Sequence, residues 1–319
     1  MIKYAIIGAG WRSEFYLKIA ALLPNEFSVS GIYIRNSEKQ KEFAKKYNVK
    51  ICGTLDGLLK TDFDFIVSCV NKDGISDMIK TLTALDIPVL TETPVTDGTL
   101  GGRVQVAEQF HFMPRNQAYK KMIDSGILGE VHSVRLSCCH DYHAASLIRF
   151  FLDTGFEKPE ITSISLIDPV TRYNSRAGYI TPAVIKEEEK IKIFKFKDKT
   201  AVYDFSFEQY FSDIRSSQIN IRGTNGEIVN NTCSYLKDGV PQRFEIYRNT
   251  YGVEESLDGM CLFNITGGGE VLYTNPFPLA RLSDEEIAIA TCLVKMKAYI
   301  KTGEAFYSLK DAEFDCAII

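Results

Sequence analysis

The run Tyr4-Ala5-Ile6-Ile7-Gly8-Ala9-Gly10-Trp11-Arg12-Ser13 constrains the fold more than any other part of the chain. A short apolar strand pattern turns through two glycines straight into a helical pattern that reaches about Leu23. Gly8 permits the tight turn, and Gly10 lets backbone approach a pyrophosphate. The helix start then offers unsatisfied N–H donors and the positive end of its dipole. Ser13 occupies the place of a third glycine, which serves helix packing and tolerates a small side chain. The turn therefore predicts a dinucleotide site built on Gly8, Gly10, Trp11 and Arg12.

The pattern that follows suits such a site. Strand signals at Val29–Ile34, Asp64–Val70 and Pro88–Thr91 alternate with helical spacing at Ser37–Tyr47 and Ile75–Leu85. Short apolar runs separated by helices predict a parallel sheet covered on both faces. The character changes after Pro94. Val104–Phe112 alternates like a strand, Asn116–Ser125 is a helix ended by Gly126, and Ala144–Phe151 is helical. Ile161–Ile167, Lys190–Lys197, Ala201–Phe207 and Gln218–Arg222 are strand-like with little helix between them, which predicts a mostly antiparallel sheet with one open face. Asp284–Lys301 forms a last helix, stopped by Gly303. The expectation is an α/β chain. An N-terminal Rossmann domain covers residues 1–115, and an α+β domain with a large, mostly antiparallel open sheet covers 116–319 for substrate binding and oligomerisation. The final segment is free to pack back on the first domain.

A length of 319 residues suits two domains. The formal net charge of −4 argues against a nucleic-acid partner, because phosphate binding needs clustered cations. The basic stretch Lys190–Lys197 alternates as a strand with a solvated face. No apolar run approaches the roughly 20 residues that span a bilayer, and the N-terminus lacks the apolar core of a secretion signal. Eight cysteines without CxxC spacing predict thiols in a reducing cytoplasm.

The second strand ends Tyr33-Ile34-Arg35-Asn36, with no acid for a ribose 2′-hydroxyl. Arg35 there favours a 2′-phosphate, hence NADP over NAD, unless it is simply an exposed loop residue. Taken with DFIVSCVN (64–71), TETP (91–94), IRGTNGEI (221–228) and TGEAFYSLKDAEFD (302–315), the chain resembles the Gfo/Idh/MocA oxidoreductases. The resemblance implies nicotinamide-dependent chemistry on a sugar, polyol or similar polyhydroxylated substrate, with Asn71, Glu92 and Pro94 on the cofactor side. It also exposes a departure. The family's fifth strand ends Glu-Lys-Pro, and its lysine binds or exchanges a proton with the reacting hydroxyl; here Thr93 stands in that place and cannot titrate near neutrality.

All four histidines lie between His111 and His143. The resemblance matches His143 to a histidine that acts near the substrate hydroxyl; the aspartate four residues earlier in the family falls on Cys139. Imidazole titrates near neutral pH, so His143 is the candidate general base, with His140 and Tyr142 as hydrogen bonders to the substrate oxygen. Glu108, His111 and Arg149 are candidates for substrate binding, and His132 reads as a structural strand residue. Glu108-x-x-His111 and His140-x-x-His143 have ligand-like spacing, but the first lies on a strand pattern, where residues three apart face opposite ways; no metal is expected. Two other functions stay open: a redox-neutral elimination, epimerisation or glycoside cleavage using tightly held NAD(P), and a sugar sensor without chemistry. The open sheet predicts a homodimer or homotetramer.

Overall fold

The computed structural model describes residues 1–251 and 261–319. Its chain contacts divide into two compact units. Unit 1 holds Met1–Pro114, Asn275–Ala317 and Thr250–Phe263, the last in its described residues; unit 2 holds Arg115–Asn249, Asn264–Thr274 and Ile318–Ile319.

Unit 1 begins with β1 (Ile2–Ile7), α1 (Trp11–Leu22), β2 (Phe27–Tyr33), α2 (Ser37–Lys46), β3 (Ile51–Cys52), α3 (Leu55–Leu59), β4 (Phe65–Ser68), α4 (Ile75–Thr83), β5 (Val89–Thr91) and β6 (Val104–Val106). The sheet order is β3-β2-β1-β4-β5-β6, and every pair is parallel. Strand order reverses outward from β1, as in a doubly wound nucleotide-binding sheet, where ligands settle at the carboxyl ends. The strands are short and almost wholly apolar because both faces are covered. Asn36 caps α2 by accepting from the Glu38 and Lys39 N–H groups, which stops β2 at the position expected to face the ribose.

In unit 2, α5 (Pro114–Asp124) leads to β7 (Val131–Ser137), α6 (Asp141–Leu152), β8 (Glu160–Ser175), β9 (Gly178–Lys195) and β10 (Thr200–Ser206). Then come β11 (Gln218–Gly223), β12 (Gly226–Val229), β13 (Thr232–Lys237) and β14 (Val240–Glu245). Eight strands form one sheet in the order β14-β13-β12-β11-β7-β10-β9-β8. Only β7 and β10 run parallel; the other pairs are antiparallel. This is the large, mostly antiparallel sheet expected from the sequence. A small sheet joins β15 (Tyr247–Tyr251), β16 (Cys261–Gly267) and β17 (Glu270–Thr274).

The last helices return to unit 1. α7 (Asp284–Thr302) starts at a Ser283/Glu286 capping box and stops at Gly303, whose φ of 74° needs a glycine. Between α7 and α8 (Leu309–Ala317), the Phe306 and Tyr307 N–H groups donate to Gln105 Oε1, and Tyr307 O accepts from Val106 N–H. Tyr307, Leu309 and Ala312 thereby join the apolar core beside β4, β5 and β6.

Three sequence expectations change. The strand expected over Val104–Phe112 ends at Val106, because the Glu108 carboxylate accepts the Phe110 N–H and turns Gln109–Phe112 into a 3₁₀ helix. The strand expected to include Phe207 ends at Ser206, whose N–H donates to Gln209 Oε1 at the start of another 3₁₀ turn, Phe207–Phe211. The lysine-rich strand is the tail of a much longer β9, which pairs with β8 from Glu160 to Ser175. His132 lies on β7 as expected, with its side chain exposed.

Candidate active site

The glycine turn is shaped as the sequence required. Gly8 has φ of +111°, and a Cβ there would come within 2.5 Å of the Cys69 carbonyl oxygen. Only glycine lets β1 and β4 approach so closely. Gly10 differs. It has ordinary φ, and a Cβ placed on it would meet nothing within 4 Å. Gly10 is the N-cap of α1 with no side-chain cap bond, so an open cradle faces the helix start. That cradle fits a pyrophosphate, which the α1 backbone can hold.

Around it the candidates take different positions. Trp11 is 46% exposed, and the Arg12 guanidinium lies 4.6 Å from its ring centre. Arg12 is not open to solvent: Nε meets Glu92 at 2.9 Å and Nη1 meets Glu285 at 2.7 Å. Glu92 is itself buried and accepts a short hydrogen bond from the Tyr16 hydroxyl. Burial pushes the Glu92 carboxyl above the usual range, against the opposing pull of Arg12 and Tyr16. Arg12 and Glu92 therefore brace the glycine turn against the TETP turn, while half-buried Thr93 and Pro94 follow. Arg35 and Asn71 are both exposed, just beyond the carboxyl ends of β2 and β4. Lys39, missed from the sequence, reaches to 3.5 Å from the Ala9 carbonyl oxygen of the glycine turn. Its signal was present, since it stands in the first turn of the helix that follows Arg35.

Glu108 is fully buried and spends one oxygen on the 3₁₀ turn. His111 packs edge-on against Tyr307, with ring centres 5.3 Å apart.

Unit 2 gathers the other candidates at the start of α6. His140 is the N-cap, and His143 follows within the first turn. Their ring centres lie 5.2 Å apart, and Tyr142 stands 4.3 Å from His143 and 5.1 Å from His140. His143 is 4% exposed. Two tyrosines unseen in the sequence reading bracket the group. Tyr210 accepts the His140 N–H at 2.8 Å and pairs with His140 Nδ1 at 2.7 Å. Tyr203 accepts the Asp141 N–H at 3.0 Å. Burial drives both phenols well above their ordinary range, so they stay neutral. No local pattern reveals these partners, which lie 62 and 70 residues away.

Arg149 stands at the other end of the helix. It lies in the last turn of α6, where Nη1 donates to the Gly155 carbonyl at 3.0 Å and the guanidinium stands over Phe156.

Residues 2–112 match the model of an oxidoreductase family with an NAD-binding Rossmann fold, Gfo/Idh/MocA. This segment belongs to that family. An L-aspartate dehydrogenase of Methanococcus maripaludis is 25% identical over 203 residues, 60% of this chain and 72% of its own. Two solved structures share the fold at 14% identity and a TM-score of 0.67. One is an oxidoreductase from Agrobacterium radiobacter in complex with NAD⁺, L-tartaric acid and magnesium, covering 99% of this chain and 94% of its own. The other is levoglucosan dehydrogenase with NADH and levoglucosan, covering 99% and 95%. At the level of reaction class, the chain is an NAD-dependent oxidoreductase.

Proposed function

We propose that the chain oxidises a secondary hydroxyl of a sugar, polyol or related polyhydroxylated compound, with NADP preferred to NAD. The observation that carries the reading is the cluster at the start of α6, where two imidazoles and Tyr142 of one helical turn meet Tyr203 of β10 and Tyr210 of the 3₁₀ turn that follows it. Such a set can accept a proton from one hydroxyl while hydrogen-bonding others.

Gly8, Gly10 and the α1 backbone would hold the pyrophosphate, Arg35 and Lys39 the 2′-phosphate, and Asn71 and Pro94 the nicotinamide side. When bound, the coenzyme supplies a hydride acceptor. With that acceptor supplied, His143 would take the hydroxyl proton of the substrate alcohol, whose oxidised product is a carbonyl. His140, its Nδ1 fixed by Tyr210, presents its other nitrogen to a substrate oxygen. Tyr142 closes the apolar side of the imidazole pair. Glu108 and His111 are the substrate-binding candidates of unit 1 in this reading, and Arg149 fixes the end of α6.

The ribbon formed by β8 and β9 exposes Ile167 (62%), Tyr179 (79%) and Val184 (71%). Such apolar exposure fits coverage by another copy in a homodimer or homotetramer. Among the described residues no helix is long and apolar enough to cross a membrane. The second reading is redox-neutral conversion with retained NAD(P). Thr93 favours it, because the residue cannot supply a proton or a positive charge.

The test is reduction of NADP⁺ and NAD⁺ with levoglucosan, sugars, polyols, L-tartrate and L-aspartate. Steady reduction with a hydroxylated neutral compound is expected, and His143→Ala should lower kcat at least about a hundredfold with coenzyme affinity nearly unchanged. Reduction by L-aspartate alone would overturn the substrate class, and unchanged turnover would remove His143 from the reaction.

A further inference from the structure

A hydroxyl that loses hydride and proton together builds negative charge on oxygen, and neutral phenols and imidazoles stabilise that charge less than a cation does. Thr93 brings none. The sheet beneath α6 does. Lys192 on β9 stands directly opposite Tyr203 on β10, and Lys190 stands opposite Phe205. Residues directly opposite in an antiparallel pair project to the same face. That face is the one under α6, because the Tyr203 hydroxyl accepts the Asp141 N–H at 3.0 Å. Lys190 confirms the direction: its Nζ lies 3.6 Å from Asp141 Oδ2. Further along the same row Phe194 is buried, so Lys192 sits between an ion pair and an apolar floor, itself half-buried.

We propose that Lys192 is a substrate-binding cation of this site: its ammonium hydrogen-bonds the reacting hydroxyl oxygen beside the His140–His143 pair, and the Lys190–Asp141 pair holds it in place. The inference rests on the proposed polyhydroxylated substrate and adds a residue to its recognition. The division of labour follows from the charges. Asp141 is shared between Lys190, Tyr203 and the field at Lys192, so it fixes the row without neutralising both lysines. Burial lowers the Lys192 pKa and Lys190 lowers it further, while Asp141 holds it up. An ammonium so placed can both bind an oxygen and exchange a proton with it. The stretch that reads in the sequence as the solvated face of a strand thus carries its lysines inward at this end.

The test uses the full-length wild-type protein with NADP⁺ present. Lysines are labelled with trace acetic anhydride at pH 8 and each site is quantified by peptide mass spectrometry, with and without levoglucosan and the neutral polyols of the panel. Lys192 should react several-fold faster than the exposed lysines. At least one neutral hydroxylated compound should protect it about tenfold, the effect of occupying one site near ten times its Kd. Lys192→Met should lower kcat about a hundredfold or more, and Lys192→Arg should restore substrate KM while leaving kcat reduced. Labelling at the rate of the exposed lysines, or protection by no neutral compound, overturns the assignment. Protection by L-tartrate alone also overturns it, since that marks a carboxylate anchor. Coenzyme reduction without Lys192 protection leaves the proposed function standing and this inference refuted; protection without reduction does the reverse to the dehydrogenase reading.

Discussion

At position 12 a guanidinium lies between two carboxylates, and one of them, Glu92, is buried with a tyrosine hydroxyl on its other oxygen. Removing one partner of such a pair costs about 3–5 kcal/mol, because the remaining charge is left without compensation. Arg12→Met should therefore lower Tm, and the loss should depend on pH. Burial already raises the Glu92 pKa in the folded protein. Stability linked to its bound proton is fully present below the ordinary carboxylate value and is lost as pH rises through the raised folded value. Without Arg12 that folded value climbs higher, so the Tm gap between variant and wild type should widen from about pH 5 to about pH 8. Thermal melts across that range check this, and a constant gap would contradict it. The sequence showed Arg12 only as a neighbour of the glycine turn. Its partners Glu92 and Glu285 are 80 and 273 residues away, beyond the reach of local pattern.

Elements were legible where one physical rule dominates. The turn from β1 to α1 was readable because Gly8 has no substitute at φ +111°, and the parallel strands because burial on both faces forces apolar runs. The β8–β9 ribbon was not, since residues 176–184 are exposed on every position and carry no two-residue alternation to read. The 3₁₀ turn after β6 was also hidden, because a single carboxylate decides it. The α6 cluster was half legible. His140, Tyr142 and His143 share one helical turn, but Tyr203, with Lys192 opposite it, comes through the register of the sheet, and Tyr210 through the 3₁₀ turn after β10. The two glycines of the turn make separate predictions. Gly10→Val should fold with Tm close to wild type, because a Cβ there meets no protein atom. It should weaken NADP⁺ binding at least about tenfold by filling the pyrophosphate cradle. A normal coenzyme Kd in that variant would refute the cradle.

For the molecule as a whole, the fold class could be read early, since a glycine turn and βα alternation at one end and strand-rich sequence at the other admit few architectures. Substrate identity could not, because it depends on side chains from strands far apart in sequence. Assembly belongs to this scale too. Light scattering should give at least twice the monomer mass, and Ile167→Lys with Val184→Lys should shift it to monomer by charging the exposed ribbon. A monomeric wild type would remove that ribbon as an interface. The central claim, a nicotinamide coenzyme held on the glycine turn of unit 1, is tested most directly by calorimetric titration of NADP⁺ and NAD⁺ into protein stripped of bound nucleotide. One saturable site with Kd of about 1–100 μM, tighter for NADP⁺, is the predicted result. No heat of binding for either coenzyme, with none released from the protein as purified, would contradict it.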